Sequence, residues 1–345
     1  MKTHIEFIKF GWESGSGGFF IMIICLAILP FTLPYVDLAT EVVILSLLTV
    51  SFNLLFGYSG LLSFAQAALF SVGSYTMGNL IIHLDIHILL GILAGGIMAA
   101  LIALPIGIIS IQRIGLYFAF LTFAFNEMIY YIIYEWVSMS GGDEGLRGIY
   151  RPNLDLGIFS IDLSTQLRFY FFSCVIFVIC FYIISRIINS SFGKVLKCIG
   201  ENADRAEAIG YRVKSFKLMV FIISGFFTGV AGALHTMFVK FADVEHCMWL
   251  FSGDIVLMTL LGGIKSLFGP MFGAALFVVL SDYLSTLWDR WLFIFGFIFL
   301  GCVLFFRGGI QGILDTLFKK IGSKKRQSLM DEKQEGGRLG KGGQK

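Results

Sequence analysis

An all-α polytopic membrane protein with about ten transmembrane helices and both termini cytoplasmic is the fold class this sequence predicts, and three observations carry the prediction. Of 345 residues, 57% are hydrophobic and only 14% charged, against roughly 45–50% and about 25% in soluble domains, so a water-facing surface of this size has too few charges to cover it. Apolar stretches close to the ~20 residues that cross hydrocarbon recur along the chain. The net charge of +3 is unevenly spread: Arg186 to Lys217 carries seven basic and three acidic residues, Lys319 to Lys345 nine and three. Everything else sums to −7, which is how lysine and arginine retained on the cytoplasmic side would distribute.

The apolar stretches run Phe19–Val36, Thr40–Phe56, Leu62–Ile82, His87–Ile111, Gly115–Trp136, Leu167–Ser185, Leu218–Val239, Trp249–Ile264, Gly269–Trp288 and Trp291–Phe306. The eighth and tenth are short, which allows re-entrant segments there. Placing Arg186–Lys217 in the cytoplasm puts Gln112, Arg113, Lys265 and the Lys-rich tail inside. Asp37 with Glu41, Asp143 to Asp162, and Asp243 with Glu245 fall outside. The expected organisation is a cytoplasmic segment over 1–18, a membrane domain over 19–306, and a basic, disordered tail over 307–345. Within the membrane domain, 186–217 forms a cytoplasmic loop and 137–166 an external one. Lys2 and Lys9 ahead of the first apolar run suggest a signal peptide, but the run is too long and lacks a small-x-small site, so it reads as an uncleaved first span.

Several function classes are excluded or weakened. The basic residues flank spans instead of forming a compact patch, so nucleic acid is not the partner; the tail's lysines could instead touch anionic lipid. No GxxxxGK[ST] phosphate loop occurs, since "GGIKS" and "FGKV" have the wrong spacing. No HExxH or GxSxG appears, and the six cysteines lie mostly in apolar runs as small hydrophobes. His83 and His87 flank Asp85 at a zinc-compatible spacing, but at a short turn where interfacial histidines are the simpler reading; neither a metal nor another cofactor is expected.

Candidate functional residues fall in four groups. Glycines and small polar residues cluster in "GYSGLLSFAQAALFSVGSYTMG" and "LLGGIKSLFGPMFGAAL", with Gly57, Gly60, Ser63, Gln66, Ser71, Gly73, Gly262 and Gly263 as helix joints or pathway lining. Glu127, beside Asn126 and near Thr122, is a mid-span carboxylate. It could face a pathway, bond a neighbouring helix, or sit protonated by burial. The loop "MSGGDEGLRGI" offers Gly141, Gly142, Asp143 and Gly145, either as a structural turn or as a contact for substrate or a delivery protein. In the polar stretch, Ser191 and Gly200 should bracket one short helix, and Asn202 and Gly210 another. On the second, Ala203, Ala206, Ile209 and Gly210 share one arc, opposite Asp204, Arg205 and Glu207. That shallow face suits a groove on another protein, or belongs to a solvated linker.

Taken in order, "FNLLFGYSGLLSFAQAALFSVGSY", "GLYFAFLTFAFNEMIYYI", "SGGDEGLRGI", "GKVLKCIGENADRAEAIGYRVKSFKL" with "SGFFTGVAGAL", and "SGDIVLMTLLGGIKSLFGPMFGAAL" resemble the branched-chain amino acid (LIV-type) permease subunits of bacterial ATP-binding-cassette importers. The resemblance implies a multi-pass inner-membrane transport subunit, not an enzyme, with ATP bound by its partners. Those partners are a second permease, two cytoplasmic ATPases and an external substrate-binding protein. It further implies that Ala203, Arg205, Ala206, Glu207, Ile209 and Gly210 lie in the loop that couples to the ATPases. Leucine, isoleucine and valine are the first substrates it suggests; similar permeases serve urea, short amides or other amino acids. A proton-coupled secondary transporter using Glu127, or a membrane-embedded enzyme, would be the rivals.

Overall fold

The computed structural model describes residues 16–152, 154–155, 160–264, 266–287 and 290–305. The readings placed on residues 1–15, on Lys265 and on the basic tail lie outside the described residues. Each of the ten apolar stretches forms a helix: α1 (Ser16–Thr32), α2 (Val36–Ser59), α3 (Gln66–Leu84), α4 (Ile88–Ser110), α5 (Leu116–Glu135), α7 (Gln166–Asn189), α10 (Val213–Val239), α11 (Trp249–Gly262), α12 (Gly269–Leu287) and α13 (Trp291–Phe305). Three short helices, α6 (Val137–Ser140), α8 (Ser191–Glu201) and α9 (Ala203–Ala208), lie in connections, and β1 (Leu154–Asp155) pairs antiparallel with β2 (Ser160–Ile161).

Length separates the apolar helices. Among the described residues, seven are long and apolar enough to cross a membrane: α2, α3, α4, α5, α7, α10 and α12. Of the other three, α11 has 14 residues, about 21 Å at ~1.5 Å per residue, short of a ~30 Å hydrocarbon core, while α1 begins and α13 ends where the described residues do. Of the ten apolar helices expected, seven are therefore long enough to cross among the described residues, and α11 is shorter. The start of the third stretch also moves. The pattern placed it at Leu62, but α2 ends at Gly60 (φ 73°), whose N–H bonds the Phe56 carbonyl, and α3 begins only at Gln66. Residues 60–65 are non-helical.

The connections sort onto two faces. On one, Gly60 lies against Gly200 and Gly107 of α4 against Leu218 of α10; this face carries Arg113 and the basic α8–α9 segment. On the other, Gln166 donates to Asp37 at 2.8 Å, Tyr150 bonds Asp85, Asn79 donates to the Met139 carbonyl at 2.9 Å, and Leu146 pairs with Ala242. We call these the basic and acidic faces. α11 and α12 form an antiparallel hairpin entering from the acidic face. Its tip at Ser266 accepts a hydrogen bond from Asn53 at 2.6 Å, six residues before the end of α2, about 9 Å by helical rise.

α2 is the central post: it is buried along nearly its whole length, whereas α5 is mostly exposed, and α7, α10, α11 and α12 all pack on it. Beside it α3, α4 and α10 approach at backbone contact. A Cβ on Gly73 would lie 2.1 Å from the Gly229 carbonyl oxygen, and one on Gly232 only 1.9 Å from that of Phe70. In lipid, such small-residue contacts replace the hydrophobic drive that water supplies elsewhere. The hairpin is closed the same way, by Gly262 on the Gly269 carbonyl and Gly273 on that of Met258.

Gly232→Ala should therefore destabilise the protein by at least about 2 kcal/mol in detergent unfolding, because backbone cannot yield as a side-chain tip does. Gly296→Ala, with nothing within 4 Å, should leave the midpoint unchanged.

Candidate functional site

The break at residues 60–65 and the first turn of α3 pose one chemical problem: several of their backbone groups, the Phe64, Ala67 and Ala68 N–H and the Phe64 C=O among them, lack helical partners in a segment largely enclosed by protein. Side chains from two other elements, and one from the break itself, solve it. Thr122 Oγ1 of α5 accepts from Phe64 N (3.1 Å), and Asn126 Oδ1 accepts from Ala68 N (2.9 Å). Ser252 Oγ of α11 accepts from Ala67 N (3.1 Å) and donates to the Phe64 carbonyl (2.6 Å), while Ser63 Oγ accepts from Ala65 N (3.2 Å). Asn126 then uses its amide to hold the Cys247 carbonyl at 2.8 Å, tying the connection between α10 and α11 to the same point. Thr122, Asn126 and Gln66 are wholly buried, Ser63 and Ser252 nearly so.

Gln66 begins a second set. Its Oε1 accepts from Thr228 Oγ1 at 2.7 Å and its Nε2 donates to Ser224 Oγ at 3.3 Å. Thr228 also bonds Ser51 Oγ (2.8 Å), and Ser224 donates to the Ser51 carbonyl (2.8 Å). On α10, Ser224, Thr228, Gly232 and Thr236 recur every fourth residue as one stripe; the upper two contact Phe70 and Ser74 of α3. The i, i+4 recurrence of small hydroxyl residues was a visible signal that sequence reasoning did not use. Ser252 and the Cys247 carbonyl left no such signal.

Beneath the break lies the polar step. Ser190, one residue before the expected cap, accepts from Gly193 N at 3.4 Å and starts α8. α8 runs through Gly200 to Glu201. Gly200 does not stop a helix; its missing Cβ leaves room for the Tyr58 carbonyl, which a Cβ would meet at 2.5 Å. Lys197 lies over the Tyr58 ring, 5.3 Å from its centroid. Asn202 Oδ1 accepts from Arg205 N at 2.9 Å, and Gly210 (φ 102°) ends the second turn, as its sequence bracket predicts. The shared arc divides. Ala206 is fully buried in a cluster with Ile199 and Val213, and Ala203 packs at its edge, whereas Ile209 (67% exposed) and Gly210 face outward with Arg205 and Glu207.

This geometry joins a buried break to a solvent-facing step through Tyr58 to Gly60. A family model described as the permease component of branched-chain amino acid transport systems matches residues 35–304. The chain belongs to this family. The high-affinity branched-chain amino acid transport system permease protein LivM of Escherichia coli K12, and its counterpart in Salmonella typhimurium LT2, are each 24% identical over 267 residues, 71% of this chain. The match covers 62% of each relative, so this chain spans less than two thirds of their length. No solved structure matches it.

The permease's other candidate residues scatter around this joint. Gly57 is buried in the last turns of α2, and Gly73, Gly262 and Gly263 sit at close backbone contacts or turns. Ser71 is wholly buried, with its hydroxyl toward the Cys247 thiol. Glu127 lies on the flank of α5, half-buried, with Oε1 enclosed and unpartnered among the described residues. On the acidic face, Gly141 adopts φ 78° and a Cβ there would meet the Gly145 carbonyl at 2.1 Å, while Gly145 packs on Phe241 and Ala242. Asp143 is exposed and Gly142 buried. Asp243 pairs with His246 Nδ1 in the connection that leads down to Cys247. Burial pushes the Asp243 carboxyl upward, but the hydrogen bond and charge of His246 outweigh it and hold it below the usual range. His87 caps α4 by accepting from Leu89 N at 3.4 Å.

Asn126→Leu would orphan Ala68 N and the Cys247 carbonyl together. We expect a loss of about 2–4 kcal/mol in chemical unfolding, where Met128→Leu, on the exposed face of the same helix, stays within about 0.5 kcal/mol.

Proposed function

We propose that this permease forms the membrane pathway of an ATP-driven importer for leucine, isoleucine and valine in a bacterial inner membrane. An external binding protein delivers substrate at the acidic face, a second permease completes the pathway, and two cytoplasmic ATPases act on the basic face. The observation that carries this reading is the contact of Gly200 with Tyr58 and Gly60. α8 and α9 are one packed unit through Ile199, Ala206 and Val213, so force applied to α9 arrives at the end of α2, where the non-helical segment begins. A chain without a phosphate loop needs such a receiving surface. The exposed Ile209, flanked by Arg205 and Glu207, is the knob a partner groove would take.

Within this mechanism α2 is the fixed post, and the hydrogen-bonded break is what changes its packing. Ser252 and Asn126 already occupy the Ala67 and Ala68 amides in the first turn of α3, and Thr122 the Phe64 amide in the break, so those amides do not bind a substrate carboxylate in this state. Their role is to hold the joint shut until the step below moves.

Ile209→Glu places a charge on the exposed knob without touching the buried cluster. Uptake of labelled leucine and copurification of the ATPase should both fall about tenfold or more, equivalent to about 1.4 kcal/mol of lost interface, with the unfolding midpoint unchanged. Unaltered uptake and association would make α9 a linker. Leucine transport by the chain alone, driven by a proton gradient, would contradict the importer reading. Competition by isoleucine and valine but not urea or short amides would support the substrate assignment.

A further inference from the structure

On the outer flank of α5, Arg113, Tyr117, Phe120, Leu121 and Ala124 line an open groove of about 560 Å³. Its two ends differ chemically. Arg113 stands in the turn between α4 and α5, exposed, and its guanidinium makes no ion pair among the described residues. Next to it Gly115 has nothing within 4 Å of where a Cβ would be, leaving room for a bulky polar group. From there the groove runs along Tyr117 and Phe120, 75% and 68% exposed, to the small floor of Ala124. The apolar part covers about two helical turns, ~11 Å of axis, most of one leaflet's ~15 Å of hydrocarbon.

A cation at the membrane boundary followed by an apolar trough fits an amphiphile with an anionic head. A packed protein helix would fill the trough but would give the arginine no partner by necessity, and a free anion would leave the trough empty. Arg113 lies on the basic face, together with α8 and α9. By the positive-inside distribution that face looks onto the leaflet where anionic headgroups attract lysine and arginine. We propose that this groove is a binding site for one anionic phospholipid, its phosphate on Arg113 and an acyl chain along Tyr117, Phe120 and Ala124. The lipid would fill the groove between this turn and the bilayer, and the site does not depend on which solute the permease carries.

Native mass spectrometry of the full-length permease, with the subunits that copurify, tests this by titrating phosphatidylglycerol against phosphatidylcholine. One phosphatidylglycerol should be retained about fivefold more strongly, the worth of about 1 kcal/mol per basic residue at a membrane surface. Arg113→Gln should erase that preference. Ala124→Trp, which fills the trough on an exposed face, should cut retention while leaving Arg113 in place. Equal retention of the two lipids, or no change in either variant, overturns the proposal. Displacement by inorganic phosphate would reassign the site to a free anion, and crosslinking of Ala124→Cys to a second permease would reassign the groove to protein; each result would overturn it.

Discussion

The backbone of residues 60–68 cannot satisfy itself, and the arrangement around it follows from that constraint. In hydrocarbon, or in protein packed as tightly, an unmet N–H or C=O costs several kcal/mol, so irregular backbone persists only where something reaches it. Here the something is Thr122, Asn126 and Ser252. For their short side chains to reach, α5 and α11 must lie close to the start of α3. For Gln66 to reach Ser224 and Thr228, α3 and α10 must touch at backbone distance. The glycine contacts Gly73–Gly229 and Gly232–Phe70 make that approach available. Polar satisfaction and glycine packing are thus one requirement met from two directions.

The same constraint gives the joint two faces of behaviour. Fully bonded, it is rigid, since its rungs tie the break and α3 to α5, α10 and α11 together. Yet every bond involves a hydroxyl or amide that could exchange its partner for water if the segment shifted, unlike the apolar contacts around α2. Under the proposed function, this is where a displacement of α8 and α9 would be spent: α2 ends at Gly60, Gly200 rests on Tyr58, and the bonded break begins two residues further on.

Much of this was legible in the residues. Ten apolar runs gave ten helices, and the glycine-rich segments did mark close contacts. Asn202 and Gly210 bracketed α9 as their side-chain and backbone chemistry dictates. What failed did so for physical reasons. An apolar run gives no warning that α3 starts late, because Leu61 to Ala65 are as hydrophobic as the helix that follows. Gly200 looked like a helix stop because the sequence does not show the Tyr58 carbonyl pressed against it. The arc Ala203, Ala206, Ile209 and Gly210 shares a direction, but periodicity cannot say that Val213 and Ile199 would claim half of it. The pairing of Ser252 with Phe64 and Ala67, 188 and 185 residues apart in sequence, was out of reach of any local pattern.

Hydrogen–deuterium exchange of residues 60–68, read in the assembled transporter with and without ATP, tests the central claim most directly. If the bonded break is the element that the cytoplasmic step moves, the Phe64, Ala67 and Ala68 amides should be strongly protected at rest and exchange measurably faster when nucleotide drives the partners closed, in step with α8 and α9. Protection that stays constant at these amides while α8 and α9 change would contradict it, leaving the joint a static brace with transport proceeding elsewhere.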